Sequence, residues 1–255
     1  MPDDATLPEQ TDRTLTLLWR KLLGGRQGSR GPKQKVSVDE IVTAAIAIAD
    51  AEGLDTFSMR KVAEELRLGV MTLYTYVPGR AELIGLMVDQ VIGEQTLSPH
   101  QGSVRERLTA IARLDWDEFH RHPWLLQANL ARPWIGPHIS DRYEWQLAAI
   151  EGIGLGDIDM DQIVTLVTGF AATAARADID ARRTQEQSGI SDRQWWEINS
   201  PILERIMAGT HYPISGRVGQ SAGEAYDAVS DPELSFRFGL ERILDGIELF
   251  IDRKR

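Results

Sequence analysis

Met71, Thr72, Thr75 and Tyr76 fall on one side of the short segment 70–77, and as a set they suit the reading of DNA base edges. A threonine hydroxyl meets donors or acceptors, its methyl group packs on thymine C5, and a tyrosine hydroxyl reaches phosphate. Val70, Leu73 and Val77 take the inward side at helical spacing, with Tyr74 between the two sides. Leu73 and Tyr74 are equally consistent with a purely structural role. Ser58, Arg60 and Lys61 open the preceding helical segment, where they can meet phosphate, and Arg60 is long enough to reach a base edge. Arg80 opens the following one, where a cation and exposed N–H groups both favour phosphate. Arg30, Lys33 and Lys35 form a basic arm suited to the neighbouring minor groove.

Other chemistries find little support. With no cysteine in 255 residues, disulfides, thiolate metal sites and a cysteine nucleophile are excluded. The chain has no G-x-S-x-G, H-E-x-x-H or P-loop pattern. His120 and His122, with Asp115, Asp117 and Glu118 nearby, invite a metal or hydrolytic reading. Positions i and i+2 do not share a helical face, however, and Pro123 ends the element. No metal and no cofactor are expected.

Six of the seven tryptophans lie between positions 116 and 196. Trp116, Trp124, Trp134, Trp145 and Trp195, with Phe119, His120, Gln127, Phe170 and Arg176, are the candidate lining of a hydrophobic small-molecule pocket between helices. Each tryptophan taken alone reads equally well as core packing.

The elements that must position these residues are helices. Ser37-Val38-Asp39-Glu40 and Ser103-Val104-Arg105-Glu106 are capping boxes; Ser191 to Gln194 and Asp159 to Gln162 have the same form. Asp231-Pro232-Glu233 sets a cap, a first-turn proline and a dipole-matching acid in order. The spacing predicts helices over 38–52, 58–66, 70–77, 80–95, 103–121, 123–130, 140–152, 160–178, 191–207 and 233–252, with an amphipathic one also possible over 13–23. Gly53 is the expected left-handed stop of the first. The stretch 208–230, rich in glycine and serine, reads as a mobile loop. Two short helices joined over 67–69, with Ala63 at their crossing, have the form of a helix-turn-helix.

The formal net charge of −10 conceals an asymmetry. Residues 13–38 hold seven basic side chains and no acid, and residues 1–80 balance at zero. A basic arm beside a compact motif is a nucleic-acid signature, although a solvated tail has the same composition.

Leu54 to Leu83 (LDTFSMRKVAEELRLGVMTLYTYVPGRAEL) resembles the DNA-binding domain of the TetR family of transcriptional repressors. MRKVAEEL, the TLY of the recognition helix and VPGRAEL match it in order. Phe236 to Ile251 (FRFGLERILDGIELFI) resembles the last dimerisation helix of the tetracycline-repressor-type C-terminal domain, and the middle matches in helix pattern alone. One departure is Arg67, where the family usually has glycine, so the turn is expected to be shifted or strained.

The resulting expectation is an all-α fold: a basic extension (1–36), a three-helix helix-turn-helix domain (37–90) and a larger ligand-binding and dimerisation domain (91–255). The resemblance implies a ligand-responsive repressor that binds palindromic double-stranded DNA as a homodimer and is released by a small-molecule effector. Helices 160–178 and 233–252 are apolar around much of their girth, with Gly239 and Gly246 permitting close approach, which suits them to an interface. The resemblance implies that two from each subunit form a four-helix bundle. A large monomeric core, a helix-turn-helix used for protein contacts, a constitutive DNA-binding protein and an enzyme with a fused DNA-binding domain stay open as alternatives. No apolar run approaches the ~20 residues that span a bilayer, so no membrane partner is expected and the location is expected to be cytoplasmic.

Overall fold

The computed structural model describes residues 7–24, 36–128, 134–208, 212–226, 228 and 230–254. Among the described residues the regular structure is all helical: α1 Leu7–Leu18, α2 Val38–Glu52, α3 Met59–Glu65, α4 Val70–Tyr76, α5 Arg80–Ile92 and α6 Val104–Arg121. A 3-10 helix, Pro123–Gln127, follows; then come α7 Pro137–Ala148, α8 Asp157–Ser188, α9 Asp192–Met207, α10 Pro213–Tyr226 and α11 Pro232–Lys254.

The helix starts follow local chemistry. Ser37 with Glu40, Ser103 with Glu106 and Ser191 with Gln194 all form reciprocal capping boxes. The Asp231 carboxylate accepts from the N–H of Leu234 at 2.9 Å. The start expected at Asp159 lies three residues earlier instead. Gly156 is the N-cap of α8, and Asp157 and Asp159 occupy its dipole-favoured first turn. Gly53 ends α2 at φ 74° and ψ 177°, a positive φ outside the left-handed helical well that was expected.

Element boundaries depart from expectation where polarity or glycine misleads. The helix expected over 160–178 runs from Asp157 to Ser188, because the polar stretch after Asp178 holds no breaker before Gly189. The helices expected at 123–130 and 140–152 are the 3-10 helix and α7. The N-terminal helix begins at Leu7 and ends at Leu18, giving way to turns over 19–24. The loop expected over 208–230 contains helix α10, whose Gly223 lies against the ring of Trp196 on α9. Glycine costs about 1 kcal/mol of helix propensity, which is why this stretch reads as a loop in the sequence.

Two hydrophobic cores organise the molecule. The first gathers α2 to α5 around Ile41, Val62, Leu73, Leu83 and Met87, and it includes Leu18 at the end of α1 and Trp124 and Leu125 of the 3-10 helix. Part of the N-terminal extension meets this core: Leu18 is buried in it, and Trp19 Nε1 donates to the Ile135 carbonyl at 3.0 Å. The second core gathers α6, α8 and α11 around Leu108, Ile111, Val167 and Phe236, with Ala149 and Ile150 at the end of α7.

Helix α7 joins the two. The buried Asp89 carboxylate of α5 accepts from Ile139 N at 3.0 Å in the first turn of α7. Trp134 lies against Gly85 of α5, where a β-carbon would strike the indole ring. Among the described residues no helix is long and apolar enough to cross a membrane.

Candidate nucleic-acid interface and effector site

Ala63, Leu73 and Val77 are fully buried where α3 and α4 cross, which fixes the recognition helix on its core. Ser58 caps α3, accepting from Lys61 N at 3.3 Å, so its hydroxyl serves the helix before any phosphate. The turn is not shifted. Leu68 N donates to Ala63 O at 2.8 Å and Arg67 N to Glu64 O at 3.1 Å, the paired bonds of a Schellman motif. Arg67 stands at its left-handed position with φ 54°. A side chain there costs about 1–2 kcal/mol, partly offset by the chain entropy that glycine would lose on folding. Arg67→Gly is therefore expected to raise the thermal midpoint by about 2–4 °C, read by circular dichroism. A fall would show that the arginine makes a stabilising contact.

The exposed face of α4 consists of Met71 (75% exposed), Thr72, Tyr74 (39%) and Thr75. Tyr74 and Tyr76 exchange their expected places. Tyr76, three residues after Leu73 and next to Val77, is half-buried against the first core, whereas Tyr74 stands out beside Met71. Thr75 Oγ1 donates to Thr72 O at 2.7 Å, which leaves its lone pairs and methyl group outward.

Arg60, Lys61 and Arg80 are each engaged within the protein, whereas Arg67 is exposed. Arg60 Nε bonds Glu64 at 2.8 Å and raises its own pKa by doing so; Lys61 bonds Glu52, whose carboxyl it holds below the usual range. Arg80 departs from its expected role. Its guanidinium donates to Leu54 O (2.8 Å) and Phe57 O (3.3 Å) and lies over the Phe57 ring, so it fixes the α2–α3 corner. Arg30, Lys33 and Lys35 lie outside the described residues.

The ten candidate effector residues divide among separate places. Trp116, Phe119, His120 and Phe170 stay together on the second core. Trp116 lies 4.4 Å from the ring of Phe236 and Phe170 stacks on the same ring at 5.9 Å. His120 Nε2 meets Asp178 at 2.6 Å while its Nδ1 faces Trp116 O. Arg176 of α8 donates to Leu126 O of the 3-10 helix. Phe236 and Asp178 complete this cluster. Their signal in the sequence was helical spacing on α11 and α8, which does not report what faces them.

The others are elsewhere, for identifiable reasons. Trp124 is buried in the first core with Nε1 donating to Asp50 at 2.7 Å, and Gln127 Oε1 accepts from Leu54 N at 2.8 Å. Both dock the 3-10 helix onto the end of α2. Trp134 is taken by Gly85. Trp145 stacks on His100 at 4.3 Å and donates to Ser98 O, pinning the lead-in to α6. Trp195 is exposed on α9, which buries no residue.

The two histidines do not converge on a common centre. His122 is buried and turns the opposite way from His120, with Nδ1 2.7 Å from Asp50 and Nε2 3.2 Å from Glu94. Asp115 and Glu118 form a buried cluster with Arg142 of α7, at 3.1 and 2.9 Å, which sequence reasoning missed. Arg142 also donates to Ile92 O at the end of α5. Burial pushes the Asp115 carboxyl up to about 7 and raises Glu118 as well, with the guanidinium opposing both.

Comparison with known proteins gives concordant results. Residues 98–251 match the family described as tetracyclin repressor-like, C-terminal domain. The chain is 39% identical over 246 residues to the HTH-type transcriptional repressor DrrR1 of Streptomyces coeruleorubidus, covering 95% of this chain and 87% of that one. Among solved structures it resembles apo ActR from Streptomyces coelicolor, with a TM-score of 0.68 and 26% identity over 88% of this chain and all of that one. It also resembles the TetR family protein ActR in complex with actinorhodin, with a TM-score of 0.65 and 27% identity over 83% of this chain and 95% of that one.

Proposed function

Because the chain belongs to the TetR family of transcriptional repressors, with a tetracycline-repressor-type C-terminal domain, we propose that it binds palindromic operator DNA as a homodimer and releases it on binding a small hydrophobic effector. The exposed α4 face of Met71, Thr72, Tyr74 and Thr75, carried on a fully packed helix-turn-helix, is the observation that supports this most directly. A single such unit contacts too few base pairs to be selective. Two-fold dimers place two recognition helices about 34–36 Å apart, or a multiple of this.

The dimer reading rests on α8 and α11. Between them runs a groove of about 360 Å³ lined by Ile163, Leu166, Ile243, Gly246, Ile247 and Phe250 together with Asp159, Gln162 and Arg242, a largely apolar surface suited to a second copy. Gly246 is open and admits a close partner, whereas Gly239 is filled by its own chain's Phe170 ring. Only one of the two glycines therefore serves close approach.

The effector reading rests on Trp116, Phe119, His120 and Phe170, and on the complex of the similar protein ActR with actinorhodin. A ligand there acts on the 3-10 helix. That element is held on one side by Arg176 and bonded on the other to the α2–α3 corner through Gln127, Trp124 and His122. Arg80 extends the connection from Leu54 O to the first turn of α5. Moving the 3-10 helix therefore shifts the recognition unit, and release follows if the effector favours the shifted state. Reading the chain as a regulator without catalysis agrees with its curated relatives.

Gel-shift titration of the purified protein on its own upstream intergenic DNA tests the proposal. Salt-sensitive, saturable binding is expected. Absence of such binding overturns it.

A further inference from the structure

We propose that Arg67 is a DNA-binding residue: from the turn between α3 and α4 it contacts a phosphate at the edge of the groove that α4 enters. The inference rests on the DNA-binding reading above and adds to it a residue that the fold keeps at a cost.

Arg67 has φ 54°, and among the described residues no other residue except glycine has a positive φ. Glycine takes this conformation freely, and asparagine more readily than other side chains. Arginine brings a β-carbon that opposes the conformation and nothing local that favours it. Ending α3 here therefore does not call for arginine. A side chain kept in a strained place points to a use outside the fold.

Within the chain Arg67 has no evident use. It is exposed, and among the described residues its guanidinium makes neither a hydrogen bond nor an ion pair. The other three cations of residues 38–80 each have a partner: Arg60 bonds Glu64, Lys61 bonds Glu52 and Arg80 bonds the Leu54 carbonyl. Arg67 shares a surface concavity of about 470 Å³ with Lys61 and the carboxylates of Glu52, Glu64 and Glu65. Two of those carboxylates already hold another cation, and Glu65 forms no ion pair with Arg67.

Its place in the motif supplies the use. A helix-turn-helix docks with its first helix spanning the phosphate backbone and its second in the major groove. The segment that joins them passes from one to the other, along the edge of the groove where phosphates run. Arg67 lies in that segment, two residues before Gly69, the N-cap of α4, and four before the exposed Met71. Helix α4 (VMTLYTY) carries no charge, so the attraction that seats it comes from its flanks. Arginine has the reach, and its fork of N–H donors matches a phosphate. Such a contact carries no sequence information and strengthens binding to every duplex alike.

The test compares the full-length protein with its Arg67→Gln and Arg67→Lys variants by fluorescence anisotropy across a salt series. The probes are the upstream intergenic duplex and a random-sequence duplex of equal length. Arg217→Gln makes the same change of net charge at an exposed position on α10, as the control. Arg67→Gln is expected to bind both duplexes roughly three- to tenfold more weakly, with a salt slope flatter by about one per subunit. Arg67→Lys keeps the charge and is expected to keep the slope. An unchanged slope in Arg67→Gln, a loss no greater than the control's, or a loss confined to the upstream duplex overturns the proposal. So does a slope in Arg67→Lys as flat as that of Arg67→Gln. In each case binding by the wild type leaves the regulator reading standing. Wild-type protein that binds neither duplex overturns both.

Discussion

Arg142→Ala is expected to destabilise the protein by about 3–5 kcal/mol, lowering its thermal midpoint by roughly 10 °C or more. The guanidinium is buried between Asp115 and Glu118 and holds the Ile92 carbonyl, so its removal leaves two carboxylates enclosed without a cation. Replacing all three side chains with Met, Leu and Leu of similar volume is expected to be close to neutral, because desolvating the cluster consumes most of its Coulomb attraction. An Arg142→Ala midpoint within about 2 °C of wild type would show that water reaches the cluster.

The same cluster fixes a pH dependence and its sign. Burial raises the Asp115 carboxyl from its ordinary 3.8 to about 7, against the pull of Arg142. The folded state then holds this proton more tightly than the unfolded chain does. The contribution to stability is fully present below about pH 4 and is lost as pH rises through 7. Between these limits the wild-type midpoint is expected to decline relative to that of Asp115→Asn, which has no proton to lose. Parallel curves for the two proteins would remove Asp115 as the source.

The second large effect is on recognition. Thr72→Ala/Tyr74→Ala is expected to weaken binding to the upstream duplex by roughly 10- to 100-fold, since each good base contact is worth about 1–3 kcal/mol of discrimination. Neither side chain is charged, so the salt slope should not change. Both are exposed, so the melting curve should not move. Arg60→Ala should do the reverse, weakening binding to all sequences and flattening the slope by about one. An unchanged affinity in the double variant would place base reading elsewhere on the chain.

The helix-turn-helix was legible because its determinants are local. Ser58 and Ser37 cap by bonding residues three positions on, and Leu73 and Val77 follow from a period of 3.6. Even Arg67 announced its strain, because a left-handed turn position is defined by its nearest neighbours. Periodicity could not separate Tyr74 from Tyr76. The two sit on opposite flanks of the inward side, and which one is covered depends on the core that α4 meets.

The candidate effector site was only partly legible, for a related reason. Tryptophan is informative about large buried area but silent about which partner supplies the burial. Trp116 meets Phe236 across 120 positions, Trp124 meets Asp50, and Trp134 meets Gly85. Three similar residues in one stretch thus serve an aromatic cluster, a domain contact and a helix-to-helix seam.

By itself the sequence determined that residues 58–77 make two short helices around a tight turn, and that α4 turns an uncharged face outward. Both follow from interactions a few residues long. Tertiary structure alone decided how that unit is governed. Glu52 reaches Lys61, Arg80 reaches Leu54 and Phe57, and Gln127 reaches Leu54. These contacts join residues 9 to 73 positions apart and tie the recognition unit to the elements around it. No local pattern encodes such pairings, because they exist only once both cores have closed.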